Sequence, residues 1–392
     1  MNKVLSKRHN GWFRLFLAGV SLLFYLSTPQ AVRGQDTGTQ DRAVADTVVS
    51  PDSLNDGPHV FLGDDSAAVV FYLCRDDFVK ETRYGRDTVR FEGRCDDRGT
   101  VYAAARFYSR DTVCRFENVS RIFTVSDIHG EYGYFRDILL KAGIVDSSLH
   151  WAWGDGHLVV LGDIFDRGSR VTECLWLVYR LQQEAPADGG RVHFVLGNHE
   201  LMVMEGDNRY VNERYLDGIV KKTRIKYEDL YGPDMALGRW LRAQPAVITI
   251  NGLLFVHGGL NPDMVDRRSS LGHINATVAD GLNMGSGRLA FEDEIKYMFG
   301  SLGPFWYRGY HYAVEDRYDR AETDEIDRLL NFYGVDKIVV GHSEHDRLEF
   351  LYDRRVVAVD VPVEDLGGFQ GLFCDGTGLY RVQPDGSRER LE

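Results

Sequence analysis

Residues 158–168 read LVVLGDIFDRG, and this stretch decides the fold. Leu158 to Leu161 are apolar at every position, so both faces of the segment must be covered. Such a run suits a short strand buried inside a layered protein. Gly162 ends the run and lets the chain turn sharply. Asp163 then stands at the carboxyl end of the strand, where open α/β folds place their ligands. A single Asp at such a junction is more often a helix N-cap, so the neighbours must decide.

The same arrangement recurs on either side. Upstream lies IFTVSDIHG (122–130); downstream lie VHFVLGNHE (192–200), LLFVHGG (253–259) and KIVVGHS (337–343). Each apolar run is followed by Asp, Asn or His beside Gly, which helix capping alone does not call for. Asp163 lies 36 residues after Asp127 and 35 before Asn198, each interval fitting one βαβ unit. Amphipathic segments 134–142 and 171–184 fill those intervals as helices. A sixth run, VVAVD (356–360), reads as a further strand. Residues 201–245 and 260–335 read mostly helical, as inserts that shape a site.

Carboxylates and imidazoles together suit zinc, iron or manganese, and an Asn carbonyl is a hard oxygen donor. Asp127, His129, Asp163, Asn198, His257 and His342 are enough for two neighbouring ions sharing one carboxylate. Two ions about 3.5–4 Å apart can activate a water and clamp a phosphate opposite it.

DIHG, GDIFDRG, GNHE, HGG and GHS, in this order, resemble the calcineurin-like metallophosphoesterases. The Asp-Arg-Gly and the Glu after Asn-His resemble the phosphoprotein-phosphatase branch, and within it the Shewanella-like phosphatases. The resemblance spans about 121–362. It implies an α/β fold, a β-sandwich flanked by helices, with a dinuclear centre that hydrolyses phosphomonoesters, as a Ser/Thr or Tyr protein phosphatase. Asp127, His129 and Asp163 would hold one metal; Asp163, Asn198, His257 and His342 the other. The ions would be manganese, iron or zinc. His199 would be the general acid, Asp166 its support, and Arg167 and Arg308 the phosphate contacts. The reaction implied is direct attack of metal-bound hydroxide on phosphorus. Dinucleoside polyphosphate hydrolases and phosphodiesterases share these motifs, and a non-catalytic phosphate-binding module is a remoter alternative. Ser126 replaces the Gly common before the first Asp; being small, it is expected to matter little. His345 reads as a surface histidine and His193 as structural.

Cys174 and Arg180 have the C-x5-R spacing of cysteine-dependent phosphatases, but the intervening residues are bulky and apolar. That chemistry needs a loop of exposed N–H groups around phosphate, so Cys174 reads as core.

The N-terminus reads as an address. Residues 1–14 are basic, 15–26 are apolar, and small and polar residues follow up to Gly34. That is the order of a signal peptide, 1–34. Its apolar run falls short of the roughly 20 residues that span a bilayer. Residues 35–57 read as a disordered linker and 58–118 as a small β-rich N-terminal extension, with the main domain over 119–392. The chain carries net charge −13, and 1–34 holds five basic and no acidic residues, so the remainder stands at −18. Such a chain repels nucleic acid and anionic membranes; a phosphorylated protein or small phosphomonoester is the expected partner. We expect an exported protein, periplasmic or secreted. N-terminal sequencing of the cell-derived protein is expected to begin at Gln35; a chain that keeps Met1 in the membrane fraction would mean an uncleaved anchor.

Overall fold

The computed structural model describes residues 55–63, 66–75, 77–95, 100–108, 110–284 and 293–391. The expected signal peptide and residues 35–54 of the expected linker lie outside them. The strands are β1 (Asp56–Leu62), β2 (Ala67–Cys74), β3 (Asp77–Tyr84), β4 (Thr88–Glu92), β5 (Val101–Ala105), β6 (Arg115–Phe116), β7 (Arg121–Val125), β8 (His157–Val160) and β9 (Arg191–Phe194). They continue as β10 (Val247–Ile250), β11 (Leu253–Val256), β12 (Lys337–Val340), β13 (Glu349–Leu351), β14 (Val356–Ala358), β15 (Gly371–Asp375), β16 (Gly378–Val382) and β17 (Arg388–Arg390).

Two six-stranded sheets form a sandwich, in the orders β17-β16-β15-β7-β8-β9 and β13-β14-β12-β11-β10-β6. Ile122, Val159 and Val195 of the first sheet pack against Ile248, Phe255 and Val339 of the second. The alternate residues, Phe123, Leu158 and Phe194, join the core shared with α1 (Tyr132–Lys141) and α2 (Val171–Glu184). The central strands are therefore buried on both faces, which is why they read as unbroken apolar runs. Burial of each large apolar side chain is worth about 1.5–3 kcal/mol. Cys174 is fully buried in α2, and His193 is buried with Nε2 3.0 Å from His157 Nδ1.

Register sets the site. Val125, Val160 and Phe194 are level across parallel β7, β8 and β9. Phe255 and Val339 are level across parallel β11 and β12. The loops that follow, carrying Asp127, Asp163, Asn198, His257 and His342, therefore open at one end of the sandwich.

The structure departs from the sequence reading in several places. β1 begins at Asp56, two residues inside the expected linker, because Asp56 is a buried acceptor rather than a solvated charge. β3 (DFVKETRY) carries no apolar run, since it is an edge strand with an exposed face. The 260–335 insert is only partly helical: α5 (Leu271–Met284), a helix Asp293–Phe299 and α6 (Thr323–Tyr333) flank a turn-rich stretch over 300–322. At Gly303 a Cβ would collide with the backbone carbonyl of Met298, and Tyr307 and Tyr310 fill the interior there without a helix.

The N-terminal extension holds a three-stranded sheet, a two-stranded hairpin and a Cys74–Cys95 disulfide. It packs on α2: Trp176 Nε1 donates to Pro58 O at 2.8 Å, and Tyr102 and Phe91 enclose that indole. Asp56, 3% exposed, accepts from His59 Nε2 at 2.9 Å, Thr172 Oγ1 at 2.7 Å and Gly57 N at 2.8 Å. Replacing the acceptor strands buried donors, so Asp56→Ala is expected to cost about 3 kcal/mol in urea unfolding. A loss below about 1 kcal/mol, the range of an exposed pair, would mean that this junction does not hold the extension.

Candidate active site

Six residues at the site adopt the left-handed backbone that non-glycine residues rarely visit: Asp127 (φ 54°), His129 (44°), Asp163 (56°), Asp166 (72°), Arg167 (62°) and His342 (64°). Each costs of order 1–3 kcal/mol and persists only where the surroundings over-determine it. Crossed backbone bonds do so here. Asp127 N donates to Gly162 O at 3.2 Å, His129 N to Asp163 O at 2.8 Å, Gly168 N to His129 O at 2.8 Å and Gly341 N to His257 O at 2.9 Å.

Glu200 is the second restraint. It is fully buried in α3 (Asn198–Met204), and its carboxylate accepts from Gly197 N (2.7 Å), Ile164 N (2.8 Å), Asp163 N (2.9 Å) and Phe165 N (3.4 Å). It thereby ties the Asp163 loop to the Asn198 loop. Burial, then the charge of Asp163, push its pKa up to about 7 against the pull of those N–H groups. The sequence marked Glu200 only through the resemblance; that it accepts from two loops was invisible there.

Five of the six expected ligands, His129, Asp163, Asn198, His257 and His342, gather around Asp163. His129 Nδ1 lies 2.7 Å from Phe165 O and His257 Nδ1 2.7 Å from Leu161 O. Each Nδ1 must donate, which leaves Nε2 as the lone-pair atom. His257 Nε2 sits 3.0 Å from both Asp163 Oδ2 and Asn198 Oδ1. Three acceptors therefore converge on one point, an arrangement that needs a positive charge between them. In the protein alone a proton supplies it. Burial would lower the His257 pKa, but Asp163 and Asp127 outweigh burial and raise it to about 10. His342 Nε2 is buried with no partner among the described residues. Asp163, His257 and His342 form one compact donor group, and His129, Asp163 and His199 a second. A cation at the first group would satisfy the orphaned His342 Nε2, and the nitrogen-and-oxygen donors of both groups fit manganese, iron or zinc.

Asp127 stands apart from both groups, with Oδ2 accepting from Ser126 Oγ at 2.5 Å and His342 N at 3.1 Å. Ser126 is therefore not the inert replacement expected from its size, because its hydroxyl touches a candidate ligand. His199 Nδ1 lies 2.5 Å from Asp166 Oδ2, and its Nε2 is 3.9 Å from Asp163 Oδ2. Burial opposes the imidazolium, but Asp163 and Asp166 prevail and raise the His199 pKa.

Arg308 Nη1 donates to His342 O and, at 3.1 Å, to Ser343 Oγ. Arg167 is exposed on the opposite loop, with its backbone N 2.8 Å from Tyr210 O. Next to the centre, Trp306, Phe299, Tyr312, Tyr318, Arg317 and Arg308 line a groove of about 590 Å3. His345 differs from its reading as a surface histidine. It is half-buried, with Nε2 2.7 Å from His311 Nδ1 and Nδ1 2.9 Å from Glu349, and so links the Arg308 loop to the His342 loop. Asp360 was also missed: it is buried at the end of the β14 run, and burial, then Asp127, push its pKa well up.

A histidine–carboxylate centre across the open end of a two-sheet sandwich defines a metallophosphoesterase. The family model for calcineurin-like phosphoesterase matches residues 120–345, more than half of the chain. The chain belongs to the calcineurin-like phosphoesterase family and is a hydrolase of phosphoric esters. Among its relatives, Shewanella-like protein phosphatase 2 of Arabidopsis thaliana is 26% identical over 63% of this chain and 72% of its own length. Shewanella-like protein phosphatase 1 of Plasmodium berghei is 24% identical over 58% of this chain and 63% of its own. The crystal structure of a cold-active protein-tyrosine phosphatase from a psychrophilic Shewanella species superposes with a TM-score of 0.77. It is 32% identical, over 87% of this chain and all of its own.

Glu200→Gln places an amide NH2 among N–H donors and removes part of the clamp. Affinity for added manganese is expected to fall about 10–100-fold, as when other outer partners of ligands are lost, with the far-UV spectrum unchanged. Unaltered affinity in a titration would show that the clamp does not set the ligand positions.

Proposed function

We propose that this protein is a dinuclear metal-dependent phosphomonoesterase acting on protein-borne phosphate, with phosphotyrosine its preferred residue. The observation that carries the metal centre is the convergence of Asp163, Asn198 and His257 on one point beside the unpartnered His342 Nε2. The aromatic groove next to Arg308 supports a flat leaving group, as does the likeness to a protein-tyrosine phosphatase.

On this reading Asp127, His129 and Asp163 hold one ion, and Asp163, Asn198, His257 and His342 the other. When bound, the ions supply Lewis acidity to a water and neutralise charge on the phosphoryl oxygens. The remaining steps belong to the protein. Arg308, already fixed by His342 O and Ser343, presents its guanidinium to the phosphoryl oxygens, and Arg167 faces them from the other loop. His199 carries a proton at Nε2 for the departing oxygen. Asp166 holds the ring by Nδ1 and stabilises its charge. Such a positioned acid contributes about 10²–10⁴ in rate. We also propose that the protein works outside the cytoplasm, a reading supported by the disulfide, which suits an oxidising compartment.

Metal-stripped protein is expected to regain p-nitrophenyl phosphate and phosphotyrosine-peptide hydrolysis with added manganese, and Asp163→Asn to lose at least about 100-fold. Turnover of a phosphodiester or a dinucleoside tetraphosphate in their place would move the assignment to those linkages; no turnover of any would leave a binding module.

The proximity of His199 to Asp163 also fits a ligand role, and leaving-group dependence separates the two. With His199→Asn, an alkyl phosphate should lose about 10²–10⁴ in kcat/KM, and p-nitrophenyl phosphate, which leaves without much protonation, far less. Equal losses together with weakened metal binding would make His199 a ligand.

A further inference from the structure

Away from this centre, Arg106, Arg110, Arg239 and Arg242 line one cavity of about 580 Å3. It lies between the end of the N-terminal extension, α4 (Ala236–Arg242) and α5. Asp280 is the sole acid in its described wall. Only Arg239 has a carboxylate within ion-pair reach among the described residues, the exposed Asp234 at 3.6 Å. The other three meet backbone carbonyls. Arg106 Nε donates to Gly85 O (2.5 Å) and Nη1 to Gly63 O (3.2 Å); Arg242 Nη1 donates to Tyr231 O (2.7 Å) and Gly238 O (2.9 Å). Arg110 Nη1 reaches Asn275 O and Ala276 O at only 3.4 and 3.5 Å.

The Arg106 bonds lie within the extension and the Arg242 bonds within the main domain, while Arg110, and Arg239 through Arg106 O and Leu62 O, join the two; that structural role accounts for the N–H groups they use. It does not account for the charge. A carbonyl accepts a hydrogen bond without cancelling a guanidinium, and buried cations without counter-charge are costly. Arg106 is 4% exposed, and its Nη2 has no partner among the described residues. Burial, then repulsion from Arg239, lower the Arg106 pKa; burial lowers that of Arg242. This positive surplus sits in a chain of net charge −13. Planar guanidinium forks match tetrahedral oxyanions. At the rim Phe107 is 77% exposed beside Tyr108, which gives a bound group an apolar surface to rest on.

We propose that this cavity is a second anion site, distinct from the catalytic centre, which takes a phosphoryl group. Two sources share that chemistry: free phosphate, or a further phosphoryl group on a multiply phosphorylated protein. The second source rests on the protein-phosphatase reading; the site itself does not.

The metal-loaded wild-type protein, titrated calorimetrically with inorganic phosphate, is expected to bind two equivalents. The double variant Arg110→Gln/Arg242→Gln is expected to bind one, with kcat and KM for p-nitrophenyl phosphate unchanged. A phosphate count that the variant leaves unchanged, whether one or two, would falsify the proposal; a single wild-type equivalent lost in the variant would keep the cavity site and count against the metal centre. Should the double variant melt early, Arg110→Gln alone, whose side chain makes only two long contacts, should weaken the second equivalent at least about 5-fold; an unchanged second equivalent overturns the site. Singly and doubly phosphorylated peptides identify the source. A preference for the doubly phosphorylated peptide that the variant loses assigns peptide-borne phosphate; no preference alongside two phosphate equivalents assigns the free ion.

Discussion

Oδ2 of Asp163 and Oδ1 of Asn198 each lie 3.0 Å from Nε2 of His257. They repel unless a positive charge lies among them. Much of the surrounding structure holds that geometry in place. Left-handed backbone turns at Asp127, Asp163 and His342 aim short side chains inward from the strand ends. Glu200 then gathers N–H groups from two separate loops so that the turns cannot relax. Local instability of this kind is what a cation-binding site requires before the cation arrives.

How much of this could be read from the sequence depended on where each signal lay. The central strands were legible because they are buried on both faces, and the ligands were legible because each follows such a run beside Gly. Helix α2 was legible end to end because its apolar positions recur at helical spacing. β3 was not, since an edge strand with exposed charges has no apolar pattern to find. The 300–322 stretch lay inside an insert read as mostly helical; glycines and close packing around Tyr307 and Tyr310 hold it in turns instead.

At the site the limits were of another kind. The identity of the ligands is a matter of residue type and order, which a sequence displays. The tasks of Glu200, Ser126 and Asp360 are relations between loops far apart in the chain, which it does not. Ser126 was judged by volume, whereas its effect comes from a hydroxyl 2.5 Å from Asp127 Oδ2. His345 was judged a surface histidine, whereas it is bonded to His311 across two loops.

The candidate centre straddles the seam between two sheets. Asp127, His129, Asp163 and Asn198 come from one, and His257 and His342 from the other. Ions held there would act as a cross-brace between the layers, so their binding free energy would add to the cohesion of the sandwich by mass action. Resistance to heat and to proteases would then track the free metal concentration of the surroundings. An enzyme built this way would be durable where metal is plentiful and short-lived where it is scarce.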